Sequence, residues 1–328
     1  MIRQGRDSDA EGFIALIGAA WAEYPGCVLD VDGEVPELRA LATWFRDQGG
    51  MLWAAERDGR IIGMVATRPR QEDAAWEICR MYVDATARGT GLAGDLLRRA
   101  EAHARAGGAE RLVLWTDTRF TRAHAFYEKH GYVRQGSIRI LDDLSHSLEF
   151  RYAKPARGLV VEALDAAAAA SAERRLAEIL MACVAEGASL EFLPPLAPAA
   201  ARAFWKDASA QVAAGRRVLL AAWLDGALAG TVTLDLATAE NQPHVAALQK
   251  LMVDPPLRRR GIGRALLRRA EQAARGHGRT ILTLDTRAGS AAEALHRAEA
   301  WRELGRIPGF ELDGAGVARD TMFFWKAL

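Results

Sequence analysis

The apolar positions of this chain follow two spacings, one typical of helices and one typical of strands. Residues 13–21 and 38–45 carry apolar side chains at helical spacing, and each stretch predicts an amphipathic helix. Asp7 or Asp9 is placed to cap the first of these helices. Two apolar runs then flank Asp58-Gly59, which predicts a tight β-hairpin over residues 51–67.

The same order of patterns occurs a second time, about 170 residues later, which is too long a period for a solenoid repeat. The recurring motifs are Asp58-Gly59 with Asp225-Gly226, Gly63 with Gly230, Arg88-x-x-Gly91 with Arg258-x-x-Gly261, Asp117-Thr118-Arg119 with Asp285-Thr286-Arg287, and Phe126-Tyr127 with Leu295-His296. Nearly constant spacing indicates a duplicated domain with few insertions. Each half is long enough to bury a core of its own.

Proline and glycine interrupt the apolar pattern at residues 153–158, and this stretch predicts the boundary between the halves. We therefore expect one domain at 1–155 and a second at 159–328. The alanine run 166–170 leads into apolar residues at helical spacing, so we interpret it as helix.

Within each half, strands and helices alternate without the regular beat of a doubly wound sheet. After the hairpin come a strand (76–83, or 247–253), a glycine-containing loop, a helix and a second apolar strand (111–115, or 280–284). A short helix and closing strands complete the half. Because the hairpin makes part of the sheet antiparallel, the pattern predicts an α/β fold with a mixed sheet, of the α+β type, present twice.

Composition narrows the possible partners and compartment. A net charge of +1 gives no general attraction to nucleic acid or membrane. The three cysteines are isolated and form neither metal nor redox spacings, so we expect a reducing cytoplasm and no bound metal. No apolar run approaches the roughly 18 residues of a membrane span, and no signal peptide is evident.

The most specific chemical signal is the glycine loop that separates a strand from an amphipathic helix. Helix N-termini present unpaired N–H groups and partial positive charge, and glycine lets an anion approach the backbone closely. The loop is neither a P-loop nor a dinucleotide-binding fingerprint. Its appearance in both halves predicts two phosphate cradles, formed by Arg88, Gly89, Thr90, Gly91, Leu92, Ala93 and Gly94, and by Arg258, Arg259, Arg260, Gly261, Ile262, Gly263 and Arg264.

With the downstream Phe126-Tyr127-x-x-x-Gly131-Tyr132, this loop resembles that of the GNAT superfamily of N-acetyltransferases across both halves. The resemblance implies that acetyl-CoA is the cosubstrate and that the loop holds its pyrophosphate. It also implies that the preceding strand binds the pantetheine arm and polarises the thioester. The strand residues are Met81, Tyr82 and Val83 in the first half and Leu251, Met252 and Val253 in the second.

The second half additionally resembles the tabtoxin-resistance type of acetyltransferase, in residues 186–189, 248–253, 284–290 and 307–310. That type acetylates the amine of a small amino-acid-like toxin. The chain departs from the pattern where Ala247 replaces a glutamate and His296 replaces a tyrosine. Asp285 is the candidate that remains.

Acetyl transfer to an amine requires a base, an oxyanion donor and an acid near sulfur. In the first half Tyr127 occupies the family's general-acid position, and its pKa of about 10 keeps a phenol protonated at neutral pH. Glu77 is the candidate base, and Asp117 either orients the substrate ammonium or caps the next helix. Each also has a plainer interpretation, since Tyr127 could pack against Phe126 and Glu77 could be a solvated carboxylate.

In the second half His296 is a weaker candidate acid, interpreted otherwise as a solvated residue on the helix surface, and His244 is a weaker candidate base. We therefore expect an N-acetyltransferase with chemistry in the first half. Catalysis in the second half on an amino-acid-like amine is one alternative, and a non-catalytic acyl-CoA sensor or scaffold is another.

The amine substrate is expected to be a small molecule bound by residues 22–39, 68–75 and 136–147. Acidic residues there either attract a cationic amine or are merely solvated, and they are Glu23, Asp30, Asp32, Glu72 and Asp73. The tandem is expected to form a pseudo-dimer within one chain, which itself is a monomer or a homodimer.

Overall fold

A computed structural model describes residues 1–71 and 74–328. The chain divides into two compact units, of which the first comprises residues 1–127 and 134–157. The second comprises residues 128–133 and 158–328. In the described part of the chain, no helix is both long and apolar enough to cross a lipid bilayer.

The first half of the chain, through Pro155, contains eight strands and four α-helices within its described residues. In chain order they are β1 (Ile2–Gln4), α1 (Ala10–Trp21), α2 (Leu41–Asp47), β2 (Met51–Arg57), β3 (Arg60–Pro69), β4 (Ala75–Val83), α3 (Leu92–Ala106), β5 (Arg111–Asp117), α4 (Thr121–Lys129), β6 (Val133–Arg134), β7 (Arg139–Ile140) and β8 (Leu148–Pro155). Short 3-10 turns precede α1, α2 and α3.

The second half contains β9 (Leu159–Leu164), α5 (Ala166–Ala185), α6 (Pro198–Ala213), β10 (Arg217–Leu224), β11 (Ala227–Asp235), β12 (Val245–Val253), α7 (Ile262–Gly276), β13 (Ile281–Arg287), α8 (Ala291–Ala298), β14 (Arg302–Leu312) and β15 (Ala318–Ala327). The alanine run 166–170 is the start of α5, as its apolar spacing predicted. Helix α6 precedes the hairpin of β10 and β11 as α2 precedes that of β2 and β3, in the order that the repeat predicted.

Both sheets are mixed, and each has one short parallel pairing among the strand pairs whose register is described. The first sheet has the order β1-β2-β3-β4-β5-β8-β6, with β7 beside β8, and the second has the order β14-β15-β13-β12-β11-β10-β9. Strands β4 and β5 pair in parallel only through residues 75–77, and β12 and β13 only through residues 245–247. Beyond these points the two strands of each pair separate.

A β-bulge lies just after the point of separation in each domain. The pairing of β3 with β4 shifts register between Met64 and Ala66, and that of β11 with β12 shifts between Thr231 and Thr233. Arg80 and Lys250 adopt left-handed backbone angles, with φ of 50° and 52°. A bulge bends and twists its strand, so both copies turn β4 or β12 away from its parallel neighbour.

The recurring glycines before the bulges leave no room for a side chain, because the loop helix lies close to Gly63 and the adjoining strand lies close to Gly230. A Cβ atom on Gly63 would lie 3.0 Å from Leu96 of α3, and one on Gly230 would lie 2.5 Å from the carbonyl oxygen of Met252. Both cores bury the apolar face of this helix, including Leu96 and Leu97 in α3 and Leu266 and Leu267 in α7.

A buried ion pair also recurs in both domains and was not foreseen from the sequence. Lys154 Nζ lies 2.8 Å from Glu101, and Lys326 Nζ lies 2.6 Å from Glu271. Each pair ties the loop helix to the last or nearly last strand of its sheet. Burial lowers the pKa of Lys154, and the carboxylate of Glu101 opposes that shift.

Asp9 stands at the N-cap position of α1, as one of the two alternatives predicted, but the side-chain cap itself is not formed. Neither aspartate makes a side-chain cap bond to the helix. The carboxylate of Asp7 instead accepts hydrogen bonds from the backbone and hydroxyl of Thr43 in α2. The carboxylate of Asp9 forms an ion pair with Arg3 of β1 at 2.7 Å instead of a hydrogen bond to the helix.

Candidate functional site

The two glycine loops have closely matching backbones. Gly91 and Gly261 precede α3 and α7 with φ of 91° and 81°, the left-handed region that favours glycine. Gly89 and Arg259, at the equivalent place two residues earlier, have φ of 78° and 64°. The second loop therefore holds an arginine in a conformation that the first loop assigns to glycine.

Both loops present unused hydrogen-bond donors. In the described part of the chain, the backbone N–H groups of residues 89–94 and 259–264 donate to no backbone carbonyl. A Cβ atom on Gly89, Gly91 or Gly261 would meet no other atom within 4 Å, so the space above the loops is open. Exposed donors at a helix N-terminus with open space before them fit a bound phosphate group.

The side chains of the two loops differ. Thr90 Oγ1 donates to the carbonyl of Ala87 at 2.7 Å and so stabilises the turn of the first loop. Arg259 and Arg260 are exposed and, among the described residues, pair with no carboxylate. Arg264 pairs with Glu299 at 2.6 Å. The second loop therefore offers more positive charge to an anion.

Gly263 serves helix packing, which changes how Ala93 is interpreted. A Cβ atom on Gly263 would lie 3.1 Å from Leu295 of α8. The residue equivalent to Leu295 in the first domain is Phe126, and there Ala93 is accommodated in α3. The size of the residue at the position of Ala93 and Gly263 therefore depends on how closely two helices pack. It gives no reason to prefer one loop over the other as a ligand site. Gly94 is buried in the first turn of α3.

The strands before the loops have an open edge toward β5 and β13. Tyr82 and Val83 pair with β3 on one side, Met81 lies in the bulge, and all three lie beyond the 75–77 pairing with β5 on the other side. Leu251, Met252 and Val253 stand in the same relation to β11 and β13. Their backbone groups on the open side are available to an extended ligand. Tyr82 Oη accepts a hydrogen bond from Trp21 Nε1 at 3.0 Å.

Tyr127 lies on α4 and is buried, with 7% of its surface exposed. Its ring packs against Phe126 and lies 6.5 Å from the ring of Tyr152. Burial raises the pKa of Tyr127 well above its ordinary value, and the neighbouring Tyr82 and Cys79 add to the rise. Tyr127 therefore packs as the plainer interpretation expected, and it is also a phenol that stays protonated near Tyr82 and Cys79 of β4.

Glu77 stands at the vertex where β4 and β5 separate and is 5% exposed. It is not the solvated carboxylate considered from the sequence. Arg68 donates to Glu77 Oε2 through Nε at 2.9 Å, and Arg70 lies 3.5 Å from the same atom. A carboxylate shared by two guanidinium groups would act on an amine through water rather than directly.

The two Asp-Thr-Arg motifs make different ion pairs. Asp117 accepts two hydrogen bonds from the Arg119 side chain, at 2.8 and 2.6 Å, and one from the Arg119 backbone N–H at 2.8 Å. Burial opposes the charge on Asp117, but the hydrogen bonds from Arg119 hold its pKa below the ordinary value. In the second domain Arg287 pairs with Glu311 instead. Partial burial raises the pKa of Asp285, and Glu191 raises it further.

His296 is buried at 3% exposure, so the expectation of a solvated helix-surface histidine is wrong. Its ring lies 5.8 Å from that of Trp301 and 6.0 Å from that of Phe324. Burial lowers its pKa to about 4, and Nδ1 is buried with no hydrogen-bond partner among the residues that the structure describes. His296 is therefore neutral at pH 7. His244 is exposed and immediately precedes β12.

The acidic residues expected to attract an amine are mostly engaged. Asp32 pairs with Arg39 at 2.6 Å, and Asp30 accepts from the N–H of Gly33. Glu23 pairs with Arg88 and with Arg122. Glu72 and Asp73 lie outside the described residues. Three carboxylate–arginine contacts that the sequence did not reveal, at Glu77, Asp117 and Glu23, therefore shape the polar lining of the first domain.

Together, the repeated loops, bulges and separating strands define an acyltransferase with two domains of the same fold. The model of the acetyltransferase (GNAT) family matches residues 14–132 and 184–299, which is more than half of the chain. The chain belongs to this family, whose acetyltransferases use acetyl-CoA.

Curated relatives include enzymes with two different names. The chain is 33% identical over 107 residues to N-acetylaspartate synthetase of Xenopus tropicalis, covering 32% of this chain and 40% of that protein. It is 32% identical over 136 residues to mycothiol acetyltransferase of Salinispora tropica, covering 40% of this chain and 43% of that protein. These matches span less than half the length of either relative.

Solved structures match one domain's length of the chain. An acetyltransferase of Salmonella typhimurium solved with acetyl-CoA aligns with a TM-score of 0.44 at 18% identity, covering 52% of this chain and 95% of that one. A GNAT acetyltransferase of Staphylococcus aureus Mu50 aligns with a TM-score of 0.41 at 20% identity, covering 47% of this chain and 98% of that one.

Proposed function

We propose that this protein is an acetyl-CoA-dependent N-acetyltransferase that acetylates the primary amine of a small molecule, with chemistry in residues 1–155. Residues 159–328 bind coenzyme A or serve as a structural partner. The supporting observation is the contrast between Tyr127 and His296. Both side chains are buried against aromatic rings, but Tyr127 is a phenol that stays protonated and can donate, with Tyr82 and Cys79 of β4 nearby, whereas His296 is a neutral ring whose pKa lies far below 7.

Acetyl-CoA supplies the acetyl group as a thioester, which an uncharged amine attacks with release of a thiolate. The N–H groups of residues 89–94 hold the pyrophosphate, and the open backbone edge of Met81, Tyr82 and Val83 aligns the pantetheine arm. Alignment of two reactants on one surface supplies much of the rate. Tyr127 donates its phenolic proton to the departing sulfur.

A water ordered by Glu77 takes the proton of the substrate ammonium and relays it to bulk solvent, which leaves the amine uncharged. The carboxylate of Glu77 is held by Arg68 and Arg70, and its role is to fix the position of this water. Asp117, held by Arg119, contributes to orientation of the ammonium. The names of the curated relatives support an amino-acid-like amine such as aspartate as one member of the substrate panel.

A second candidate keeps the enzyme and moves its chemistry to residues 159–328. Asp285 supports it, because this carboxylate has no arginine partner among the described residues and its pKa is raised, as expected for a base. The extra positive charge of Arg259 and Arg260 supports tight binding of the phosphates there. A non-catalytic acyl-CoA sensor is the remaining alternative.

Release of free thiol from acetyl-CoA over a panel of amines, aspartate included, tests these assignments with three variants. Tyr127→Phe should lower kcat at least tenfold, since a positioned acid contributes about 100-fold or more. Asp285→Asn and His296→Ala should act less. Full turnover of Tyr127→Phe with loss in Asp285→Asn would move the chemistry to the second domain. Acetyl-CoA binding without thiol release on any amine would favour the sensor.

Native mass measurement with acetyl-CoA gives the number of ligands per chain and the oligomeric state. Two bound ligands would keep both loops as binding sites, and one would identify a domain that has lost the function. Gly91→Val and Gly261→Val assign each ligand to a loop, because valine strongly disfavours the left-handed angle.

A further inference from the structure

Glu23 lies at the meeting point of three elements of the first domain. It follows the end of α1, and both of its carboxylate oxygens contact the guanidinium of Arg88, one of them at 2.8 Å. The same carboxylate accepts from Arg122 of α4 at 3.1 Å. Arg88 Nε also faces the carbonyl of Val83 at the end of β4, at 3.4 Å.

The second domain repeats half of this arrangement. Glu186 follows the end of α5 and pairs with Arg258, whose Nε faces the carbonyl of Val253 at 3.3 Å. The residue at the place of Arg122 is Ala291, the first residue of α8, which has no charge to offer. The link from glutamate to loop arginine is thus present twice, and the link to the following helix only once.

We propose that Glu23 is a positioning residue that couples the acyl-CoA loop to the helix carrying Tyr127. This inference rests on the proposed function of the first domain. Arg88 is folded back over the end of β4 and toward α1, so it braces the loop while the backbone N–H groups remain available to phosphate. Arg122 carries the same restraint to α4, five residues before Tyr127.

The contact pattern suits a positioning role better than a stabilising one. The side chains of Glu23, Arg88 and Arg122 are 26%, 35% and 69% exposed, and ion pairs of this exposure add little to folding stability. The two parallel contacts between Glu23 and Arg88 nevertheless fix the angle of the guanidinium. A small displacement of an acid from the reacting atom is costly for rate even where stability is unchanged.

Glu23→Gln and Arg122→Ala separate the two halves of the link. Glu23→Gln should raise KM for acetyl-CoA and lower kcat by about tenfold. Arg122→Ala should lower kcat with little change in that KM, because Arg122 belongs to α4 and its ion pair is with Glu23, not with the loop. Arg122→Lys should recover part of the rate. The double variant should lose no more kcat than Glu23→Gln alone, since both remove one connection.

Glu11→Gln is the matched control, because Glu11 is exposed on α1 and has no ion pair among the described residues. Amide hydrogen exchange of α4 provides a readout that does not depend on turnover. Acetyl-CoA should protect α4 in the unaltered protein and protect it much less in Glu23→Gln. Equal protection in both, or kinetics of Glu23→Gln matching those of Glu11→Gln, overturns the coupling. Full turnover of Tyr127→Phe would overturn the proposed function instead, and the exchange result would still decide the coupling.

Discussion

Acidification should destabilise the second domain through His296. The ring is enclosed by Trp301 and Phe324, and its pKa in the folded protein is about 4, against an ordinary value of 6.5. Below pH 6.5 the imidazole of His296 is protonated in the unfolded chain, whereas in the folded chain it stays neutral down to about pH 4. The stability contributed by the neutral ring is therefore complete above pH 6.5 and is lost as the pH falls toward 4.

The size of this loss follows from the difference between the two pKa values. One unit corresponds to 1.36 kcal/mol, so the free energy of unfolding should fall by about 3 kcal/mol between pH 7 and pH 4 on account of His296 alone. That is a large part of the stability of an ordinary domain. His296→Leu removes the titrating ring and the buried Nδ1 atom that lacks a partner.

The assay has two parts. Proton NMR follows the imidazole resonance of His296, assigned by its absence in His296→Leu, from pH 8 to pH 4. Urea unfolding across the same range compares the unaltered protein, His296→Leu and the control His277→Gln, whose ring is exposed. We expect the pH dependence to become shallower in His296→Leu alone. Titration of His296 near pH 6.5, with equal slopes in all three proteins, would refute its burial and restore it as a candidate acid.

Three further outcomes follow from matched positions in the two domains. Gly230→Ala should destabilise its domain by about 1–3 kcal/mol in urea unfolding, because the new Cβ meets a backbone carbonyl. Gly63→Ala should cost less, because its Cβ meets leucine side chains that can move. Equal losses in the two variants would contradict this reason. Arg259→Gly should raise the free energy of unfolding by about 1 kcal/mol, because glycine adopts the left-handed angle without strain. The same variant should weaken acetyl-CoA binding, most strongly at low salt. A salt dependence of binding equal to that of the unaltered protein would argue against a contact between Arg259 and phosphate. Arg119→Ala should lower the free energy of unfolding by about 3 kcal/mol, because it leaves the buried Asp117 carboxylate without its ion pair. Arg119→Lys should recover only part of that stability in thermal unfolding. A loss under 1 kcal/mol in Arg119→Ala would show that water replaces the ion pair.

The repeated motifs predicted the fold well because they report local geometry. Asp-Gly turns require particular backbone angles, and Gly91 and Gly261 both adopt the left-handed conformation before a helix. The mixed sheet and the alanine-rich start of α5 likewise follow from local patterns. These features depend on residues close together in the chain, so one sequence carries enough information to place them.

Candidate chemistry was harder to predict, because it depends on partners far apart in the chain. Identical Asp-Thr-Arg triplets lead to a local pair at Asp117 and to a distant pair between Arg287 and Glu311. No local rule distinguishes the two. The burial of His296 had a readable signal, however, since it follows Leu295 on the apolar side of a short helix.

The separation of β4 from β5 leaves an open strand edge in the middle of the first sheet. The separation of β12 from β13 leaves the same kind of edge in the second sheet. Exposed edges normally invite pairing with other chains, and proteins protect them. Here each open stretch is only about six residues long and ends at the glycine loop. A few backbone groups in each domain therefore lie beyond the parallel pairing. If the proposed function is right, a ligand with an extended amide-bearing arm would complete the sheet there, in the way that a missing strand would.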